Sequence, residues 1–160
     1  MKIGIIFHSK TGTTLGFGHL IGGMLREQGH QVELIDLQTD TPVNFGSVRS
    51  APPFKVTNLP DGSKFDALLV GGPVWAFSAS PVLYTAVKGL KNIKSKKVLP
   101  FVTMGFPLPE MGGKQAIALL NKELSASGAT VLPGVIIPKM FHDYKKLMVE
   151  EALKIKNYYS

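Results

Sequence analysis

Ser9-Lys10-Thr11-Gly12-Thr13-Thr14 follows directly on the apolar run Lys2 to Phe7, and together these two segments decide the fold. The apolar run predicts a buried strand, and the polar stretch predicts a loop that leads into a helix. Four of its six residues carry hydroxyls that can donate to phosphate oxygens, and Gly12 lets the backbone approach a ligand closely. The first amides of the helix add aligned donors. The stretch therefore predicts a phosphate site, because a helix cap alone would account for only one hydroxyl.

The length and composition favour a single folded domain over residues 1–160. The chain has no cysteine, which excludes disulfides, thiolate zinc sites and cysteine-held iron–sulfur clusters. No apolar stretch approaches the roughly 20 residues that span a bilayer, and the N-terminal run is too short for a secretory signal. We therefore expect a cytoplasmic protein with no integral membrane segment.

The charge is strongly basic, with 18 lysines and arginines against 11 acidic residues and a net charge of +7. Such a balance favours acidic partners or anionic cofactors, but its sign alone chooses none of them. The lysines lack the interleaved aromatic residues of a nucleic-acid surface, so we interpret them as solvated faces and expect no nucleic-acid partner. They form two clusters: Lys88, Lys91, Lys94, Lys96 and Lys97, and then Lys139, Lys145, Lys146, Lys154 and Lys156.

Apolar runs alternate with segments of helical periodicity along the whole chain. This alternation predicts an α/β fold in which a parallel sheet carries helices on both faces. Ser80-Pro81 predicts one helix start, Gly29 and Gly128 predict two helix ends, and a last helix is expected from about Asp143. The five predicted strands are Lys2 to Phe7, Gln31 to Leu37, Asp66 to Val70, Lys97 to Thr103, and Thr130 to Ile137.

One connection differs from the others, because Gln38 to Lys64 contains four prolines and two glycines and has no helical stripe. We predict that it is mostly irregular. A loop of this length inside a compact domain either serves a site or covers the surface in place of a helix.

In an open parallel sheet, ligands bind beyond the carboxyl ends of the strands, where the strand order reverses. Three loops should meet there, and the predicted site is built from them. Aromatic rings in two of these loops predict stacking on a flat heterocycle, which adds about 0.5–1.5 kcal/mol beyond burial. The candidate ligand-binding residues are Ser9, Lys10, Thr11, Gly12, Thr13 and Thr14, then Pro73, Val74, Trp75, Ala76 and Phe77, and finally Thr103, Met104, Gly105 and Phe106.

Taken together, these segments resemble the flavodoxin family over the whole chain. Ser9, Thr11, Gly12 and Thr14 match the family's phosphate loop, and the stretch from Gly72 to Trp75 is similar to the one that carries a flavin-stacking aromatic residue. The resemblance implies a three-layer sandwich with a five-stranded sheet of order 2-1-3-4-5. It also implies noncovalent FMN, with its phosphate in the hydroxyl loop, Trp75 on one face of the isoalloxazine, and the loop from Thr103 to Phe106 on the other side.

The chain departs from the resemblance in three respects. Flavodoxins that carry single electrons are usually acidic, whereas this chain is basic. They commonly have glycine after the stacking aromatic, so that a peptide can flip toward the reduced flavin, whereas Ala76 stands here and would be strained by roughly 1 kcal/mol in a left-handed conformation. Gly18 stands where the family prefers alanine.

Two functions remain open under this resemblance. One is a small electron carrier that works between redox partner proteins. The other is an FMN-dependent oxidoreductase that takes hydride from NAD(P)H and reduces a quinone or a similar small acceptor. We expect a monomer or a weak homodimer in either case, and no metal site, since His8, His19, His30 and His142 are scattered.

A third interpretation comes from a different class of protein. Thr11-Gly12 with Gly16 and Gly18 is similar to the cofactor loop of short-chain dehydrogenases, and Tyr84 with Lys88 has the spacing of their catalytic pair. The pair lies too early in the chain, and the chain is too short for the remaining strands of that sheet. We therefore interpret Tyr84 and Lys88 as ordinary surface residues.

Overall fold

A single parallel sheet forms the centre of the protein in the computed structural model, which describes all 160 residues. Its strands pair in the order β2-β1-β3-β5, and two short strands, β6 and β7, share the edge position beyond β5. Every pairing on this path is parallel. The strands are β1 (Lys2–Phe7), β2 (Gln31–Asp36), β3 (Ala67–Trp75), β4 (Ser78–Ala79), β5 (Lys97–Met104), β6 (Thr130–Val131) and β7 (Val135–Pro138).

The predicted sheet order 2-1-3-4-5 is confirmed when the edge strand is counted as one position. The predicted run Thr130 to Ile137 is nevertheless interrupted, because Val131 pairs with Val98 and Val135 pairs with Phe101. Residues 99–100 of β5 therefore lie opposite three residues, 132–134, on the edge strand. This extra residue on one side is a β-bulge. Pro133 lies in this bulge, where its missing amide removes no ladder bond.

Four helices cover the two faces of the sheet: α1 (Thr13–Glu27), α2 (Pro81–Gly89), α3 (Gly113–Ala126) and α4 (Tyr144–Tyr158). Helices α1 and α4 pack on one face around Ile5, Leu69 and Phe101, and α2 and α3 pack on the other around Val70 and Val102. The predicted helix starts are confirmed, since the Ser80 hydroxyl accepts from the Leu83 amide and the Asp143 carboxylate accepts from the Lys146 amide. Gly29 and Gly128 follow α1 and α3 with positive φ, as predicted.

The connection from Gln38 to Lys64 is irregular, as predicted, apart from one bridge between Thr39 and Val56 and a short 3-10 turn at Gly62–Lys64. Val43 and several of its neighbours pack on the core beside α2 and α3. The segment therefore covers this face of the sheet where a helix would otherwise lie. No helix of the structure has the length and apolar character needed to cross a membrane.

Candidate functional site

The hydroxyl loop after β1 is open to solvent and leaves its backbone amides free. Gly12 has a φ of 94°, and α1 begins at the next residue without a side-chain cap from it. None of the amides of residues 9–12 donates to an acceptor in the protein. The amides of Thr13 and Thr14 belong to the first turn of α1, where a helix has no carbonyl to accept from them. A row of unpaired N–H groups at a helix N-terminus is an anion-binding arrangement.

The hydroxyls of this loop have different partners. The Ser9 hydroxyl accepts from the Leu15 amide at 3.2 Å and so caps the first turn. Thr14 is buried, and its hydroxyl lies 2.9 Å from the Thr103 hydroxyl at the end of β5. Thr11 is exposed and makes no hydrogen bond. Lys10 donates to the Val43 carbonyl at 3.5 Å. Thr11 and the free amides therefore remain available to a ligand.

A cavity of about 300 Å³ lies beside this loop, between it and the start of α4. The Lys139 ammonium, from the segment after β7, donates to the Thr13 hydroxyl at 3.0 Å. The same ammonium lies 5.6 Å from the centre of the Tyr144 ring. The cavity is lined by Thr11, Gly12, Thr13, Gly16, Tyr144, Lys145 and Met148.

A second cavity, of about 580 Å³ and lined mostly by apolar side chains, opens beyond the ends of β3 and β5. Its volume is that of a small-molecule site. Met140 lines it, and the preceding residue, Lys139, contacts Thr13 and Tyr144 of the first cavity, so this dipeptide lies between the two cavities. The lining residues are Phe45, Val74, Ala76, Phe77, Met104, Gly105, Phe106, Met111 and Met140.

The aromatic wall of the apolar cavity is formed by Phe77 and Phe106. Their rings are stacked, with 5.6 Å between centroids and an interplanar angle of 1°. The two side chains are 57% and 45% exposed. Aromatic rings left this open in a concave site are suited to stacking on a planar ligand.

A tight turn places Phe77 in this position. Trp75 pairs with Ser78 in the short antiparallel hairpin of β3 and β4, and both turn residues, Ala76 and Phe77, have positive φ, at 49° and 63°. A two-residue hairpin turn of this kind strongly prefers asparagine and glycine. The left-handed conformation expected to strain Ala76 is thus present, and strain held at such a turn is a feature of ligand sites.

Trp75 points away from the apolar cavity. Its ring is buried, with its edge against the His8 ring at 5.0 Å between centroids and Phe45 at 5.7 Å. Neighbouring strand residues project to opposite sides, so Val74 lines the cavity and Trp75, the next residue of β3, does not. The predicted stacking of Trp75 on a flavin stays a prediction, and the rings that face the cavity are those of Phe45, Phe77 and Phe106.

His8 is buried at the end of β1, with its Nδ1 atom 2.8 Å from the Ser80 hydroxyl. Burial, with a smaller contribution from the positive charge of Lys10, lowers the pKa of His8 from 6.5 to about 4. The ring is therefore neutral at pH 7. His8 also borders a polar cavity of about 320 Å³ between the hydroxyl loop and the segment from Asp36 to Val43.

The three predicted loops meet at this edge of the sheet. The structure brings together the hydroxyl loop, the stretch from Val74 to Phe77 and the stretch from Thr103 to Phe106. Pro73 is half-buried in β3, next to the residues that line the cavity. No group of three or more His, Cys, Asp or Glu side chains is placed to hold a metal ion.

Several residues in or beside the two cavities are absent from the predicted site. Phe45 belongs to the irregular connection after β2, and Lys139 and Met140 directly follow β7. Both segments leave the carboxyl ends of strands, so the rule that located the other loops could also have found them. Lys139 was interpreted as part of a solvated cluster, but its side chain is half-buried against Thr13.

Tyr84 and Lys88 lie on α2, outside the cavities at the carboxyl edge. The Tyr84 hydroxyl donates to Glu123 of α3 at 3.2 Å, and the Lys88 ammonium lies 5.3 Å from the centre of the Tyr84 ring. The pair contacts α3 and its own helix, which agrees with an ordinary structural role and not with a dehydrogenase site.

Comparison with known proteins identifies the fold as flavodoxin-like. No family model matches the chain, and no curated protein matches its sequence. Among solved structures, oxidised flavodoxin 1 from Bacillus cereus is 22% identical with a TM-score of 0.67, covering 98% of this chain and 95% of that one. A flavoprotein in complex with FMN from Lactobacillus acidophilus is 18% identical with a TM-score of 0.57, covering 84% and 91%. An azoreductase from Bacillus anthracis is 15% identical with a TM-score of 0.64, covering 99% and 100%.

Proposed function

We propose that this protein binds FMN noncovalently and transfers electrons through it. The observation that carries the proposal is the adjacency of two unlike surfaces: a row of unpaired amides after β1 and an apolar cavity walled by stacked phenylalanines. A phosphate fits the first surface and a planar ring system fits the second. The residues present therefore suit a ligand with an anionic tail and a flat aromatic head.

The residues of the site fall into two groups. Ser9 to Thr14 would hold the phosphate, in keeping with their free amides and the exposed Thr11 hydroxyl. The stretches from Pro73 to Phe77 and from Thr103 to Phe106 would hold the ring, with Phe77 and Phe106 in contact with it. Bound FMN supplies the redox chemistry, and the protein orients it and excludes water.

The fold relatives support this proposal, since a flavodoxin superposes on 98% of this chain and an FMN-bound flavoprotein on 84% of it. The favoured role is that of a small electron carrier between redox proteins. With a net charge of +7, the surface suits partners that carry acidic patches.

A flavin-dependent NAD(P)H oxidoreductase is the second candidate function. The hairpin turn at Ala76 and Phe77 favours it, because the residue that would be a flipping glycine in a single-electron carrier is an alanine already held in the left-handed region. The azoreductase among the fold relatives supports the same alternative. This enzyme would transfer electrons in pairs to a quinone or a similar small acceptor.

Titration with flavins tests the proposal. We expect purified protein to bind one equivalent of FMN with strong quenching of flavin emission, and NADH in a parallel titration to bind far more weakly. Absence of FMN binding would refute the proposed function. For FMN-loaded protein, rapid oxidation of excess NAD(P)H in the presence of a quinone would support the oxidoreductase. Reduction only through a partner reductase would support the carrier.

A further inference from the structure

Lys139 is a half-buried cation without an acidic partner. The structure contains three ion pairs, Lys64 with Glu33, Lys114 with Glu110 and Lys154 with Glu151, and none includes Lys139. Its ammonium makes one hydrogen bond, to the Thr13 hydroxyl, and has two further N–H groups without an acceptor. The Tyr144 ring, 5.6 Å from the ammonium, is its other contact, and an anion bound beside Thr13 would gain a charge-assisted hydrogen bond from the lysine.

The position of Lys139 is fixed by backbone contacts on both sides. Its amide donates to the Met104 carbonyl at 3.0 Å, and the Met140 amide donates to the Gly105 carbonyl at 3.1 Å. Its own carbonyl accepts from the His142 amide at 3.2 Å. The segment therefore extends β7 along the end of β5, and the lysine projects from a rigid element toward the start of α1.

The contact with Thr13 also orients the hydroxyl of that residue. Because the Thr13 oxygen accepts from the Lys139 ammonium, the hydroxyl proton is left free to donate to another group. Thr13 opens α1, whose first turn contains no acidic residue and whose dipole favours an anion. Lys145 is the one charged residue that lines the cavity beside Thr13, and it is also positive. The nearby Asp143 carboxylate is bound to the Lys146 amide as the cap of α4.

We infer that Lys139 determines the specificity of the site for a phosphorylated flavin by pairing with the phosphate. This inference rests on the proposed function and adds a residue to it. The amides and hydroxyls of the loop are neutral donors, and its one charged residue, Lys10, donates to the Val43 carbonyl. Lys139 contributes a charge directed at Thr13, so its effect depends on whether the ligand carries a phosphate. The charge of Lys139 should therefore raise the affinity for FMN over that for riboflavin, which has the same ring and no phosphate.

The test compares FMN and riboflavin affinities of the wild type, Lys139→Met, Lys139→Arg and the control Lys122→Met. Lys122 is an exposed residue of α3, on the opposite face of the sheet, and its replacement changes the net charge equally. We expect Lys139→Met to weaken FMN binding about 10- to 100-fold, as for a lost charge-assisted hydrogen bond. Its riboflavin affinity should change less than about twofold on the same argument. Lys139→Arg and Lys122→Met should retain the preference for FMN.

The salt dependence gives a second readout. FMN binding by the wild type should weaken with added salt more steeply than binding by Lys139→Met, because a charge pair is screened. An unchanged ratio of FMN to riboflavin affinity in Lys139→Met, or an equal loss of both flavins, would overturn the inference while the proposed function stands. Failure of the wild type to bind FMN at all would overturn the proposed function, and the inference with it.

Discussion

The ring of Phe77 lies parallel to that of Phe106, although the two residues come from loops that follow different strands. Phe77 reaches this position from a hairpin turn with two left-handed residues, and Phe106 follows β5. The pair forms one wall of an apolar cavity, and the free amides of the hydroxyl loop lie beyond the adjoining Lys139 and Met140. This arrangement underlies the predictions on flavin binding.

Replacing Phe106 with alanine should weaken binding of FMN and riboflavin alike, because the ring system common to both loses a stacking partner. The expected loss is about 1–3 kcal/mol, as for aromatic stacking on a flat base. Leu108→Ala is a matched control, since Leu108 is 55% exposed in the same loop and does not line the cavity. Equal effects of the two substitutions in a fluorescence titration would argue against ring stacking at Phe106.

Substitutions in the hydroxyl loop should separate binding from stability. Thr11→Ala removes an exposed hydroxyl without a protein partner, so we expect FMN binding to weaken by about 1.5–3 kcal/mol and the free energy of unfolding to stay the same.

Thr14→Val should lower the free energy of unfolding by about 1–3 kcal/mol, because it leaves the buried Thr103 hydroxyl without its partner. Urea denaturation and FMN titration of both variants check the pair of predictions. A stability loss in Thr11→Ala, or none in Thr14→Val, would mean that the hydrogen bonds of the loop are assigned incorrectly.

Gly18→Ala should stabilise the protein by about 1 kcal/mol, which is the helix-propensity gain of alanine over glycine. A Cβ added at Gly18 would lie 3.7 Å from Phe7 and 3.8 Å from Leu34, which is ordinary van der Waals contact. Gly29→Ala should instead destabilise the protein. Gly29 has a φ of 92°, which strains a residue with a Cβ, and an added Cβ would contact nothing that could offset the strain. Thermal melts of the two variants that shifted in the same direction would contradict this argument.

His8 should make the stability depend on pH. Its pKa is about 4 in the folded protein and 6.5 when unperturbed, so the unfolded chain binds more protons between these values. The contribution of His8 to the free energy of unfolding is fully present above pH 6.5. It is lost as the pH falls toward 4, and the loss amounts to at most about 3 kcal/mol.

Urea denaturation at several pH values checks this effect. The variant His8→Gln, which does not titrate, should show a shallower rise in the free energy of unfolding from pH 4 to 6.5 than the wild type. Parallel pH profiles for the two proteins would show that His8 is not the group responsible.

The sheet and most helix boundaries could be predicted because they depend on local patterns. The apolar run from Lys2 to Phe7 is buried from Ile3 onward, and Ser80 caps α2 with the hydroxyl that made it a candidate. The split of the last strand could not be predicted, because it depends on the register against β5 as well as on Pro133.

The composition of the site was predicted better than the directions of its side chains. Trp75 belongs to the expected loop, but β3 continues to this residue, and the alternation along the strand turns the indole toward His8. Lys139 stands in a lysine-rich stretch that has the composition of a solvated surface. Only the packing of β7 beside β5 shows that its ammonium reaches Thr13.

The electron density of a crystal grown with excess FMN would show whether the two cavities hold a flavin. We predict a phosphate within hydrogen-bonding distance of the amides of residues 9–14 and of the Lys139 ammonium, with the isoalloxazine in the apolar cavity against Phe77 and Phe106. A cavity that stays vacant under these conditions, or that is filled by the protein's own side chains, would contradict this prediction.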